Sequence, residues 1–253
     1  MQFSRKQSII AYLLGFVLFI LGIQLIGSIK GNELVFPGIV PIIKRFFQLL
    51  IQGKTYQLIG TTFLHLAEAL VLSSFIGIAI GTAEGFSPFL RCALKPVLVA
   101  LRSIPMILLV IMIMVLTHYD QVPITATSLV LIPIISEAVA EGIRNIDPEL
   151  TDVYKMNSRF TIRVFFSVHL PLIAGYLRQS YANAIGMGLK VAVTSEYLVQ
   201  AKHSLGKAVY SSFYFSEYQD IYAYALIMIM LVIVATGFFP FVIRRVFQTG
   251  DEQ

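Results

Sequence analysis

Two stretches of this chain, Ile9–Ile29 and Ile221–Ile243, contain no charged residue over their whole length. A helix rises about 1.5 Å per residue, so crossing roughly 30 Å of hydrocarbon takes about 20 apolar residues. Both stretches meet that requirement. Four further segments, about Leu58–Ala83, Pro96–Thr117, Val122–Glu141 and Pro171–Val199, are apolar but carry an ionisable group or a proline. Lipid-facing helices seldom contain such groups, which places these four inside a bundle or beside water. The expected fold is an all-α polytopic membrane protein with about six transmembrane helices.

Composition agrees. Of the 253 residues, 57% are hydrophobic and 13% charged, with a mean hydropathy of +0.79. A soluble domain carries about a quarter charged residues, so a water-soluble globule would leave too much apolar surface uncovered. The single cysteine, Cys92, excludes an intrachain disulfide framework. Arg5 and Lys6 precede the first apolar stretch, as in a signal peptide. That stretch is longer than the usual core of about 7–15 residues and no small-x-small cleavage site follows, so it reads as an uncleaved helix.

The net charge of +5 suggests basic cytoplasmic loops rather than nucleic-acid binding. With six spans and the N-terminus inside, ten basic residues, among them Arg91, Lys95, Arg144 and Arg244, fall on the cytoplasmic side against six outside. Both termini are therefore expected in the cytoplasm. The stretch PGIVPIIKRFFQLLIQG has apolar residues at helical spacing and is expected to lie flat on the outer interface, with Lys44 and Arg45 snorkelling to water.

The segment after the fourth span, GIRNIDPELTDVYKMNSRFTIRVFFSVHLP, is polar at its start and helical in pattern. Asp147 suits an N-cap and Pro148 the first helical position. Glu149 and Asp152 stand near the positive end of the helix dipole and Lys155 towards the negative end. Leu150, Val153, Tyr154 and Met156 form one apolar stripe, Asn157-Ser158 a turn, and Phe160, Ile162 and Val164 open a second helical piece. Such a surface docks into a groove on another protein, or else lies on the bilayer as a solvated connector.

This segment resembles the cytoplasmic coupling loop of bacterial ABC importer permeases, the EAA loop. Counting back from Leu170-Pro171, Val168 takes the Ile position, Ser158 the Gly position and Asp152-Val153-Tyr154 the Glu-Ala-Ala position. The spacing fits; among the residue types only the acidic character at Asp152 and the Leu-Pro pair are kept. Upstream, GIRNIDPEL resembles a run of the nitrate/sulfonate/taurine branch, and TSEYL and HSLGKAVYSSFYF resemble its fifth span end and close.

The resemblance implies a type I ABC importer-like fold with a cytoplasmic coupling helix. Residues 1–54 would form an N-terminal helix and outer interfacial segment, 55–247 the permease domain with its coupling loop at 142–171, and 248–253 a short tail. It further implies a second permease copy, two ATPase subunits, an external substrate-binding protein and a bacterial inner-membrane location. Contact with the ATPase would fall to Asp147, Leu150, Asp152, Val153, Tyr154, Ser158, Arg159, Phe160, Leu170 and Pro171. The chain has no Gly-x-x-x-x-Gly-Lys-Ser/Thr phosphate loop, so no cofactor is expected on it; ATP and Mg belong to the partner ATPase, and this chain is not itself an enzyme.

Ionisable residues within the spans are the candidate pathway sites: His65 and Glu68 on the second, Lys190 and Glu196 on the fifth. The alternative is a structural Glu68–Lys190 pair, with Glu196 solvated near the outer end of its helix. Lys190 has the right sign to attract a small anion or zwitterion, and Gly186 and Gly188 permit close helix approach beside it. The branch also implies pyrimidine vitamin precursors as substrates. Methionines show no metal-site spacing, and no nucleophile elbow or HExxH pattern supports a hydrolase. A stand-alone channel or secondary carrier would explain the intramembrane charges but leaves the amphipathic loop without a role.

Overall fold

The structure, a computed structural model, describes residues 15, 22, 37–147, 149 and 164–247. The expected first span, the tail 248–253 and the coupling residues Leu150, Asp152, Val153, Tyr154, Ser158, Arg159 and Phe160 lie outside the described residues. Among the described residues all regular structure is helical: α1 (Ile39–Ile51), α2 (Gly53–Phe86), α3 (Pro88–Ser103), α4 (Met106–Leu116), α5 (Val122–Arg144), α6 (Ala174–Val199), α7 (Leu205–Tyr214) and α8 (Tyr218–Phe247). A wide turn at Phe165–His169 and a short turn at Leu170–Leu172 lead into α6.

The second, fourth and last expected spans lie within α2, α5 and α8. These helices, α5 together with its lead-in turn from Tyr119 and α8 over Tyr218–Gly237, are each long and apolar enough to cross a membrane. The fifth is α6, 26 residues long but polar on several faces. The third differs from expectation. Instead of one helix over Pro96–Thr117, α3 and α4 meet at Ile104-Pro105 with a bend of 103°. Proline lacks the N–H that would continue the helix and pushes the preceding residue out of the helical region; Ile104 accordingly has ψ 125°.

α2 and α5 run parallel and form the centre of the bundle. Gly77, Gly81 and Gly85 recur every fourth residue on one face of α2 and lie against Ile135, Ser136, Val139 and Ile143 of α5. A Cβ at Gly77 would come within 2.9 Å of Ile135 Cβ, and one at Gly81 would collide with the Ser136 carbonyl. Small residues at this spacing let two backbones approach, the main source of attraction where lipid offers no hydrophobic drive. α6 packs antiparallel across both, with Gly188 against Leu66 and Leu131. α8 closes the far side of α6 through Val193, Ala223 and Ile227.

These directions define two ends. The α2 start, the α5 start, the α6 end and the α8 start share one, the apical end; Phe86, Arg144 and Ala174 share the other, the basal end. At the apical end α1 is pinned to α8 by a two-point ion pair, Arg45 Nε to Asp220 Oδ1 at 2.5 Å and Arg45 Nη2 to Asp220 Oδ2 at 2.7 Å. That hydrogen-bonded pair holds the guanidinium pKa above its ordinary value. Arg45 therefore pairs with the bundle rather than snorkelling to water. Lys44 remains exposed, as do Val40 and Phe47.

Candidate functional site

α6 presents a different chemistry on each side. Its inner face (Leu177, Ala184, Leu189, Ala192) is buried against α2 and α5. Its outer face, with Gln179, Asn183 and Met187, lines a groove of about 690 Å³ between α6, α5 and the α3–α4 bend. Arg102, Glu137 and Glu141 supply charge on the opposite wall. The groove exists because Pro105 turns α4 away from the line of α3, leaving the α5–α6 seam uncovered. Arg102 stands on its α3 wall, donating to the Pro133 carbonyl at 2.6 Å and pairing with Glu137 at 2.6 Å. Both partners of that pair are partly open to solvent, so it adds little to stability and is free to exchange partners.

The sequence candidates are distributed differently. Lys190 and Glu68 are both exposed, and no ion pair forms between them. Lys190 stands on the open side of α6, beyond the groove's lining. Glu196 differs most from expectation. It lies close to the end of α6, yet it is fully buried. His65 Nδ1 is 2.8 Å from its Oε1. Thr62 Oγ1 donates to Oε2 at 2.9 Å, and the Gly206 backbone N–H donates to the same oxygen at 3.1 Å. Solvation does not hold this carboxylate; three protein donors do.

The local chain path explains why. α6 ends at Gln200 in the left-handed conformation (φ 54°), where the Ala201 N–H bonds back to the Glu196 carbonyl at 3.0 Å. His203 is left-handed too, and these two uncommon conformations fold Ser204–Gly206 back over Glu196. Ser204 caps α7 by accepting from the Lys207 N–H at 3.1 Å, and Thr62 accepts from the Leu205 N–H at 3.1 Å. Glu196 thus sits at the positive end of α7, where a carboxylate is favoured. Gly206 is required by close approach: a Cβ there would meet the Glu196 side chain and the α6 backbone. Three helices, α2, α6 and α7, are locked through one carboxylate.

Of the expected coupling residues, three are described. Asp147 Oδ1 accepts the Glu149 N–H at 3.0 Å, the bond of an N-cap. Leu170 packs against the basal cluster of Ile135, Val139 and Ile143, and Pro171 is exposed. The loop's two flanks are thereby fixed to α5 and α6. Sequence reasoning missed Arg102, Glu137, Glu141, Gln179 and Asn183, although a charge or amide at nearly every turn of apolar segments was a readable signal. It also passed over Thr62 and the glycine stripe, which was visible as three glycines at a spacing of four.

A family model described as "Binding-protein-dependent transport system inner membrane component" matches residues 73–248, well over half of the chain. Two solved structures share the fold. One, the inward-facing MetNI methionine ABC transporter, superposes with a TM-score of 0.63 at 17% identity, covering 80% of this chain and 96% of that one. The other, a bacterial ABC transporter involved in import of the acidic polysaccharide alginate, has a TM-score of 0.62 at 15% identity and covers 96% of both chains. Comparison with curated protein sequences finds no match.

Proposed function

Because the chain belongs to the family of binding-protein-dependent transport system inner membrane components, we propose that this membrane permease carries a small polar solute inward in a complex driven by separate ATPase subunits. The observation that carries this reading is the open groove beside α6, whose largely apolar lining carries Arg102, Glu137, Glu141, Gln179 and Asn183. Amides and charges on helices otherwise built for lipid need water or a partner, and a wall without its opposite wall is half of a path. A second permease copy, facing this groove with its own, would complete it.

In this reading the basal end, with Arg91, Lys95 and Arg144, faces the cytoplasm together with both termini. An external binding protein delivers the solute to the apical end. The segment 147–165 docks on an ATPase, whose closure on ATP and Mg would move it as a rigid element. Its flanks reach α5 at Asp147 and α6 at Leu170-Pro171, the two helices that border the groove. A shared element whose two states both sites bias is the physical requirement for coupling. The solute class is a small anion or zwitterion: in the groove Arg102 is the single cation against Glu137 and Glu141, which favours a zwitterion whose positive end meets Glu141, and Lys190 adds positive charge beside it. Deleting Leu150–Arg159 and measuring ATPase co-purification with the membrane-inserted chain tests the assignment. Loss of the ATPase is expected; its undiminished recovery would overturn the docking role.

A further inference from the structure

α3 is built inside out. Arg91, Lys95, Leu98 and Arg102, at helical spacings of four, three and four, line a cleft of about 160 Å³ against Glu84 of α2 and Glu137 and Arg144 of α5. The opposite side of α3 is apolar and open, with Phe89 79% and Val97 56% exposed, and no residue of α3 is buried. In water so much open apolar surface on one helix would be costly. Against hydrocarbon the outward face is at home.

The cleft's charges do not balance. Four cations (Arg91, Lys95, Arg102, Arg144) face two carboxylates, so two positive charges are left over. Glu137 is already bound by Arg102. Glu84 is buried and acts on Arg144 and Arg91 together. Surplus positive charge beside hydrocarbon calls for an anion that is itself anchored there. Guanidinium forks suit phosphate oxygens, and basic pockets between membrane helices take anionic headgroups.

We infer that this cleft is a binding site for the phosphodiester headgroup of an anionic phospholipid, held by Arg91, Lys95 and Arg144, with the acyl chains leaving along Val99, which lines the cleft and is half exposed. It rests on the bundle of α2, α5 and α8 crossing a bilayer and not on the import reaction. Free inorganic phosphate shares the headgroup chemistry but gains nothing from the apolar face.

The test is native mass spectrometry of the full-length chain, purified in mild detergent with its accompanying subunits and exposed to phosphatidylglycerol, phosphatidylcholine or inorganic phosphate. The chain should retain phosphatidylglycerol over phosphatidylcholine, and the Arg91→Gln/Lys95→Gln variant should cut that retention about tenfold. Arg91→Lys, which keeps the charge, should preserve it, as should Lys44→Gln/Lys54→Gln at the apical end. Should the double variant fail to fold, Lys95→Gln alone, at an exposed position, carries the comparison. Equal retention of both lipids, or no loss in the variants, would overturn the site. Displacement by inorganic phosphate would assign the cleft to a free anion and overturn the lipid assignment. Either result, with the ATPase still co-purifying, would leave the permease reading intact.

Discussion

The Glu196 carboxylate of α6 and the His65 imidazole of α2 lie 2.8 Å apart beneath the first turn of α7, with Thr62 and the Gly206 N–H completing the carboxylate's partners. Removing one member of a buried, charge-assisted network leaves the others unpaired and costs about 3–5 kcal/mol. Glu196→Ala should therefore lower the thermal midpoint of the detergent-solubilised chain sharply, whereas Glu68→Gln at an exposed position should change stability by less than about 0.5 kcal/mol. Equal effects would remove Glu196 from its role as the apical lock.

The helix contacts make a second prediction. Gly81→Ala forces a Cβ into the Ser136 carbonyl and Val139, while Gly60 has open space around its Cβ position. Overpacking costs about 1–3 kcal/mol, so Gly81→Ala should reduce yield and melting temperature. Gly60→Ala should leave both unchanged or raise them slightly, since alanine favours the helix by about 1 kcal/mol over glycine. Melting curves of the two variants side by side decide it.

Much of this architecture was legible in the chain because span length and charge exclusion are set by the bilayer itself. Val122–Glu141 and Ile221–Ile243 fall inside α5 and α8 for that reason. Asp147 was legible as a cap because capping is local. Other features depended on what distant segments do. Pro105 lay inside the single span expected over Pro96–Thr117, and the 103° turn that opens the groove there reflects how α3 and α4 pack on α5. Glu196 looked like a solvated helix end because the backward fold of residues 200–206 over it rests on two left-handed residues without a glycine signal at either. The Glu68–Lys190 pairing matched charge and span but not the rotation of α2 and α6, which turns both side chains outward.

The Arg45–Asp220 ion pair yields a third prediction. It is partly buried and two-pronged, so it should be worth about 1 kcal/mol, more than an isolated surface pair. Arg45→Ala and Asp220→Ala should each loosen α1, read as faster proteolysis after Lys44. The swapped double variant Arg45→Asp/Asp220→Arg should recover part of the protection. No recovery would mean that α1 is held by its apolar contacts alone.

The groove supplies a fourth. Asn183→Leu and Glu141→Gln alter its lining without touching the packed faces, and Lys190→Ala removes the cation beside it. Each should reduce uptake into cells severalfold while complex yield stays within about twofold, since exposed substitutions rarely shift stability by more than about 0.5 kcal/mol. Unchanged uptake in all three would move the path to another face of the bundle.

The central claim, a paired permease served by separate ATPases, is tested most directly by native mass spectrometry of the complex extracted from membranes. The account predicts two permease chains with two ATPase subunits, the second permease being another copy of this chain. A single copy of this chain, with no second permease and no ATPase, would contradict it.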